Sequence, residues 1–227
     1  MEFATWEPVY ESLLDDFGYP RAGDERARDR LGALVGDQPT YDPDGLSLAG
    51  STVAIAGAGP SLEAEADDAS AADVVLAAST ATDRLEAVGV GVDCMVTDLD
   101  KNPETGRRLT TSGRPVVVHA HGDNVPAVEQ WVPEYDAAFV VPTTQAAPTD
   151  PVQNFGGFTD GDRAAFLADH FGAAQLEFVG WDFDDKSVDA AKRHKLRWAE
   201  RLLHWLERRR GEQFAVLDGR RDGIDPL

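Results

Sequence analysis

A chain of 227 residues with 42% hydrophobic residues can bury one large core, which excludes an acidic disordered chain. Forty-one acidic residues against 21 basic ones leave a formal charge of −20, so nucleic acid, which needs a basic stripe, is not an expected partner. Only Lys101, Lys186, Lys192 and Lys195 are lysines, and the acidic surface suits molar salt, where self-repulsion is screened within about 3 Å.

The first residues, Met1-Glu2-Phe3-Ala4-Thr5, lack a basic region ahead of an apolar one, so no signal peptide is expected. Phe3, Trp6, Tyr10, Leu13, Leu14 and Phe17 recur at helical spacing and predict a helix stopped by Gly18 and Pro20. A second helix is expected over residues 24–34. Residues 39–50, rich in Asp, Pro and Gly, read as a linker. Residues 1–50 are therefore expected as a helical extension and 51–227 as an α/β domain.

From Ser51 onward, short apolar runs alternate with polar, helix-compatible segments. Candidate strands are 52–56, 73–78, 94–97, 115–120, 137–141 and 175–180. The alternation predicts the α/β class, with a mostly parallel sheet covered by helices on both faces. The lone Cys94 excludes an internal disulfide and a cysteine-only metal site. A long amphipathic helix is expected over 189–210, with Leu196, Ala199, Leu203 and Leu206 on one side. No apolar run approaches the roughly 20 residues of a membrane span, so a cytoplasmic protein is expected, and a homo-oligomer is compatible with this composition.

In such folds ligands bind beyond the carboxyl ends of the strands, and the polar residues expected there are distinctive. After the first strand comes Gly57-Ala58-Gly59-Pro60-Ser61-Leu62. Its glycines allow a tight turn, and Pro60 suits a helix start whose amides hold phosphate. It matches neither the dinucleotide fingerprint nor a Walker loop, and a plain strand-to-helix turn is the competing reading. After the third strand, Asp98 and Asp100 flank Leu99. Two carboxylates so spaced can share a hard cation such as Mg²⁺, although any Asp pair in so acidic a chain can be solvated surface charge.

His119-Ala120-His121-Gly122-Asp123-Asn124 follows the fourth strand. A zinc pair, hydrogen bonding to phosphate or substrate with Asp123 joining the cation site, and a helix capped by Asp123 or Asn124 all compete here. Next comes Asn154-Phe155-Gly156-Gly157-Phe158-Thr159-Asp160-Gly161-Asp162-Arg163, in which Thr159 and Asp162 resemble a capping box. Asp182 follows the last strand, and Lys192 and Lys195 lie three apart on the long helix, where they neutralise a polyphosphate or are solvated charge. No nucleophile with an adjacent base is visible. Phosphoryl-type transfer, which asks mainly for positioning and charge stabilisation, fits this set.

The same stretches, together with Gly180-Trp181-Asp182-Phe183 and Lys192-Arg193-His194-Lys195-Leu196, resemble the archaeal 6-hydroxymethyl-7,8-dihydropterin pyrophosphokinase family over roughly residues 52–206. The resemblance implies a fold similar to the thiamine pyrophosphokinase catalytic domain, with ATP and a pterin as substrates and Mg²⁺ as cofactor. It implies attack of the pterin hydroxymethyl oxygen on the β-phosphorus of ATP, with AMP leaving. Asp98, Asp100 and Asp123 would hold the metal. Gly57, Gly59, Pro60, Ser61, His119, His121, Asn124, Gln145, Asn154, Gly156, Gly157 and Thr159 would shape the nucleotide and pterin pockets. Arg163, Lys192 and Lys195 would stabilise charge, and Asp160 or Asp182 would take the hydroxyl proton. The chain departs from the family pattern at Ala78-Ser79-Thr80, where an Ala-Asp-Gly stretch is expected, and at Pro142-Thr143-Thr144 ahead of Gln145. Thiamine pyrophosphorylation, nucleotide-sugar transfer and a regulatory nucleotide-binding role are the alternatives.

Overall fold

The apolar periodicity at the start of the chain folds as two helices, α1 (Phe3–Phe17) and α2 (Arg21–Val35), in a computed structural model that describes residues 1–227. Gly18, at φ +67°, ends α1 in a left-handed cap, and Pro20 stands at the N-cap of α2. The second helix thus begins three residues before the expected Asp24, because extended Pro20 directly precedes its first turn.

The remaining elements alternate as expected: β1 (Thr52–Ala56), α3 (Ala66–Ala71), β2 (Val74–Ala78), α4 (Ala81–Ala87), β3 (Cys94–Thr97), α5 (Pro103–Thr111), β4 (Val116–Ala120), α6 (Val125–Trp131), β5 (Val140–Thr144), α7 (Asp160–His170), β6 (Gln175–Val179) and α8 (Ala190–Arg210). Every registered strand pair is parallel. No helix is long and apolar enough to cross a membrane.

Two expected elements are corrected. Sequence predicts the fifth strand at 137–141, but Ala137–Phe139 form a 3-10 turn, started by the Asp136 carboxylate accepting from the Ala138 amide. The strand itself then runs through Pro142, which a strand tolerates where no ladder bond needs its nitrogen. The helix expected to open at Pro60 is also absent. Residues 60–65 are successive turns, and the short α3 starts only at Ala66.

Contacts group Met1–Ser47 with Asp93–Gly156, and Leu48–Val92 with Gly157–Leu227. In the first unit the strands lie in the order β5-β4-β3. Val116, Val118 and Ala120 of β4 share a core with Ala27, Leu31 and Val35 of α2, Leu109 of α5 and Val128 of α6. In the second unit the order is β2-β1-β6. Ala54, Ala56, Val75 and Ala77 pack with Ala66, Ala69, Ala81 and Leu85 from α3 and α4. The alternate residues Val53, Ile55 and Leu76 are buried as well, and α7 lies against β1 and β2. Strands buried on both faces explain the continuous apolar runs, since a parallel sheet covered by helices leaves no wet face.

Candidate functional site

In the first unit Asp98, Asp100, His119, His121, Asp123 and Asn124 lie where β3 and β4 end. Thr97 closes β3, and its hydroxyl accepts the Leu99 amide at 3.0 Å. Leu99 takes φ +66° and is buried, which leaves Asp98 partly exposed and Asp100 exposed on either side of it. One Asp98 oxygen accepts the Asp100 amide at 3.3 Å, and the other lies 3.5 Å from His121 Nε2.

Asn124 ties this strand end to the next loop. Its Nδ2 donates to the carbonyls of Asp98 and His119, both at 2.7 Å, and its Oδ1 accepts the His121 amide at 2.9 Å. The capping reading, one of three that compete for this stretch in sequence, does not hold for the side chain of Asn124. Asn124 occupies the N-cap of α6 but makes no side-chain cap bond, because its amide is committed to the strand ends. Asp123 is exposed, and its backbone amide donates to His121 Nδ1 at 3.4 Å.

His119 is buried beside Thr143, with Nδ1 and Oγ1 3.1 Å apart. The Thr143 hydroxyl donates its one proton to the Val118 carbonyl at 3.1 Å. His119 Nδ1 must therefore carry the proton it shares with Thr143, and that nitrogen is not a metal ligand. No group of three or more His, Cys, Asp or Glu side chains is gathered around the histidine pair.

Gln145 and Asn154, both buried, hold the loops that follow β5. Trp6 Nε1 donates to the Gln145 carbonyl at 3.0 Å, and Gln145 Nε2 donates to Asp24 at 2.8 Å. Asn154 donates to the Ala146 carbonyl at 2.8 Å and accepts the Gly156 amide at 2.9 Å. Sequence reasoning passed over Asp24. A signal existed: Asp24 stands on the apolar stripe of α2 with Ala27, Leu31 and Val35, where a solvated acid does not belong.

In the second unit the glycine turn after β1 lies against the turn after β6. Gly57 donates to the Val179 carbonyl at 2.8 Å and Gly59 to the Gly180 carbonyl at 2.7 Å. A Cβ on Gly57 or Gly59 would sit 2.7 or 2.6 Å from the Gly180 oxygen, so only glycine fits. Glu65 accepts the Gly180 amide at 2.6 Å. Arg84 donates to the Ala58 carbonyl at 2.7 Å and grips the Glu63 carboxylate through Nε and Nη2. These side chains hold residues 60–65 as turns, which is why no helix starts at Pro60. Pro60 is exposed and Ser61 half-buried.

Thr159 and Asp162 form the expected capping box at the start of α7. Asp162 is fully buried and also accepts the Phe158 amide. Burial pushes its carboxyl above the usual range, against the opposing pull of the Thr159 hydroxyl and the Phe158 amide. Gly157, at φ +90°, passes so close to Arg163 that a Cβ would meet its backbone at 2.7 Å. Arg163 is 6% exposed, pairs with Asp160 at 3.0 Å, and its Nε has no hydrogen-bond partner. Lys195 Nζ lies 5.9 Å from the centre of the Phe158 ring. Lys192 and Asp182 are exposed, and Asp182 accepts the Asp184 amide at 2.9 Å. The structure thus brings together Asp98, His121 and Asn124 in one unit. In the other it joins Gly57 and Gly59 to Gly180, and Thr159 to Asp162 and Asp160 to Arg163.

The family model described as 6-hydroxymethylpterin diphosphokinase MptE-like matches residues 40–187. Three curated relatives carry the name 6-hydroxymethyl-7,8-dihydropterin pyrophosphokinase. The one from Methanothermobacter thermautotrophicus is 37% identical, over 92% of this chain and 96% of its own. The one from Pyrococcus furiosus is 36% identical, over 91% and 95%. The one from Methanocaldococcus jannaschii is 30% identical, over 91% and 96%. With the family model matched over residues 40–187 and three relatives at least 30% identical over most of its length, the chain belongs to the MptE-like 6-hydroxymethylpterin diphosphokinase family.

Proposed function

We propose that the chain is a 6-hydroxymethyl-7,8-dihydropterin pyrophosphokinase that uses ATP and releases AMP. The observation that carries this reading is the end of β3, where Asp98 and Asp100 flank buried Leu99 and Asn124 fixes the Asp98 carbonyl. The relatives' shared name supplies the acceptor.

The hydroxymethyl oxygen attacks the β-phosphorus. The bond between that phosphorus and the oxygen bridging to the α-phosphorus breaks, and its electron pair leaves on AMP. The hydroxyl proton passes to a carboxylate, Asp182 or Asp160. Asp160 already faces Arg163 at 3.0 Å, whereas Asp182 is exposed.

Asp98, Asp100 and Asp123 are oxygen donors of the kind magnesium takes. Magnesium keeps several waters and takes phosphate oxygens beside one or two carboxylates, so a closed protein cage is not required of these residues. When bound, the ion would supply neutralising charge to the polyphosphate. Lys192, Lys195 and Arg163 add positive charge, worth most on the transferring group. The turn at residues 57–61, where a Cβ on Gly57 or Gly59 has no room, offers bare backbone to a nucleotide.

The test is product formation by the purified protein in molar KCl with Mg-ATP and 6-hydroxymethyl-7,8-dihydropterin. Equal amounts of AMP and pterin diphosphate are expected. ADP would mean transfer of a single phosphoryl group, and consumption of thiamine in place of the pterin would redirect the reading to that acceptor.

A further inference from the structure

The carboxylate of Asp24 is 3% exposed in the first turn of α2, a helix that sequence alone assigns to an extension. It receives donors from three places far apart in the chain. Oδ1 accepts the Gly122 amide at 2.8 Å, and Oδ2 accepts the Tyr10 hydroxyl at 2.7 Å and Gln145 Nε2 at 2.8 Å. Burying a carboxylate is costly, and an apolar side chain would fill the same stripe without that cost. What the acid gains is geometric. Its Oδ1 fixes the amide of Gly122, the residue between His121 and Asp123, and Gly23 packs so near that a Cβ on Gly122 would meet its backbone at 3.3 Å. From Gly122 the same loop runs to Asn124, which holds the Asp98 carbonyl.

We infer that Asp24 is a positioning residue for the cation site, acting through Gly122 to set Asp123 and His121 against Asp98. The inference rests on the reading of Asp98, Asp100 and Asp123 as cation ligands. The N-terminal helices are then part of the working site, since α2 supplies the carboxylate and Tyr10 of α1 donates to it.

The test compares four variants of the full chain: Asp24→Asn, Gly122→Ala, Leu206→Ala and Asp98→Asn. Two quantities are read. One is the Mg²⁺ concentration giving half-maximal turnover. The other is Mn²⁺ affinity in the presence of an ATP analogue with a non-cleavable α,β bridge. Partners one shell out from a metal typically cost 10- to 100-fold when removed. Asp24→Asn and Gly122→Ala should weaken both quantities by roughly 10-fold or more, and Leu206→Ala, a core change in α8, should lower the melting temperature alone. Folded Asp24→Asn protein with both quantities unchanged, or shifted no more than in Leu206→Ala, overturns the inference. If Asp24→Asn does not fold, Gly122→Ala decides by the same criterion. Full Mn²⁺ affinity in Asp98→Asn would remove the cation reading itself, and the inference with it.

Discussion

The end of β3 in the first unit and the glycine turn of the second are held by different means. Around Asp98, positions are fixed by side chains reaching to backbone: Asn124 to two carbonyls, and Asp24 to the Gly122 amide. Around Gly57 the backbones themselves touch, with Gly59 bonded to Gly180 and no room for a Cβ on either. A site held by side chains fails when an atom is removed. A site held by backbone contact fails when an atom is added.

The largest expected effect is on chemistry. Asp98→Asn keeps the shape of the strand end and removes its charge, and turnover should fall on the order of 100- to 1000-fold, measured as AMP release under saturating substrates. Gly57→Ala should come next. Its new Cβ would overlap the Gly180 oxygen, and overpacking of this kind costs about 1–3 kcal/mol, read as a lower denaturation midpoint together with weaker nucleotide binding. Asn124→Ala makes the complementary change by subtraction. It strands two carbonyls, His119 and Asp98, at a cost of about 2 kcal/mol, or roughly a 4–8 °C fall in melting temperature for a chain of this size.

Two smaller effects separate buried from exposed carboxylates. Burial raises the Asp162 carboxyl, so the folded state holds that proton more tightly than the unfolded chain. Its contribution favours the fold below the ordinary aspartate range and is lost as pH rises through the raised value. The melting temperature of Asp162→Asn, compared with that of the parent, should therefore improve with rising pH across that window. Glu63 behaves with the opposite sign. Arg84 pulls its carboxyl down to about 2, so its contribution is present above the ordinary glutamate value and fades as pH falls toward 2. A carboxyl-carbon NMR titration of Glu63 reads this directly, and loss of that shift in Arg84→Ala would tie it to the clamp. A Glu63 titrating at its ordinary value in the parent chain would deny the clamp.

The fold was legible because its determinants are local. Val116 to Ala120 reads as a strand from its own residues, and Thr159 with Asp162 as a helix start. Where distant partners decide, sequence was silent or wrong. Pro60 opens no helix where Arg84 and Gly180, both distant in the chain, bind the Ala58 carbonyl and the Glu65 carboxylate. Asp24 reads in sequence only as the first residue of the second expected helix, because its partners Gly122 and Gln145 lie 98 and 121 residues away. The candidate site residues stand out by type, as carboxylates and glycines at strand ends. The bonds that make Gln145 and Asn154 holders of loops were not written in spacing.

The most direct measurement is AMP formation with and without 6-hydroxymethyl-7,8-dihydropterin, in the parent chain and in Asp98→Asn. AMP that appears in step with pterin diphosphate, requires the pterin and disappears in Asp98→Asn is the expected result. AMP formed without the pterin, or undiminished in Asp98→Asn, would contradict a pterin pyrophosphokinase built on the end of β3.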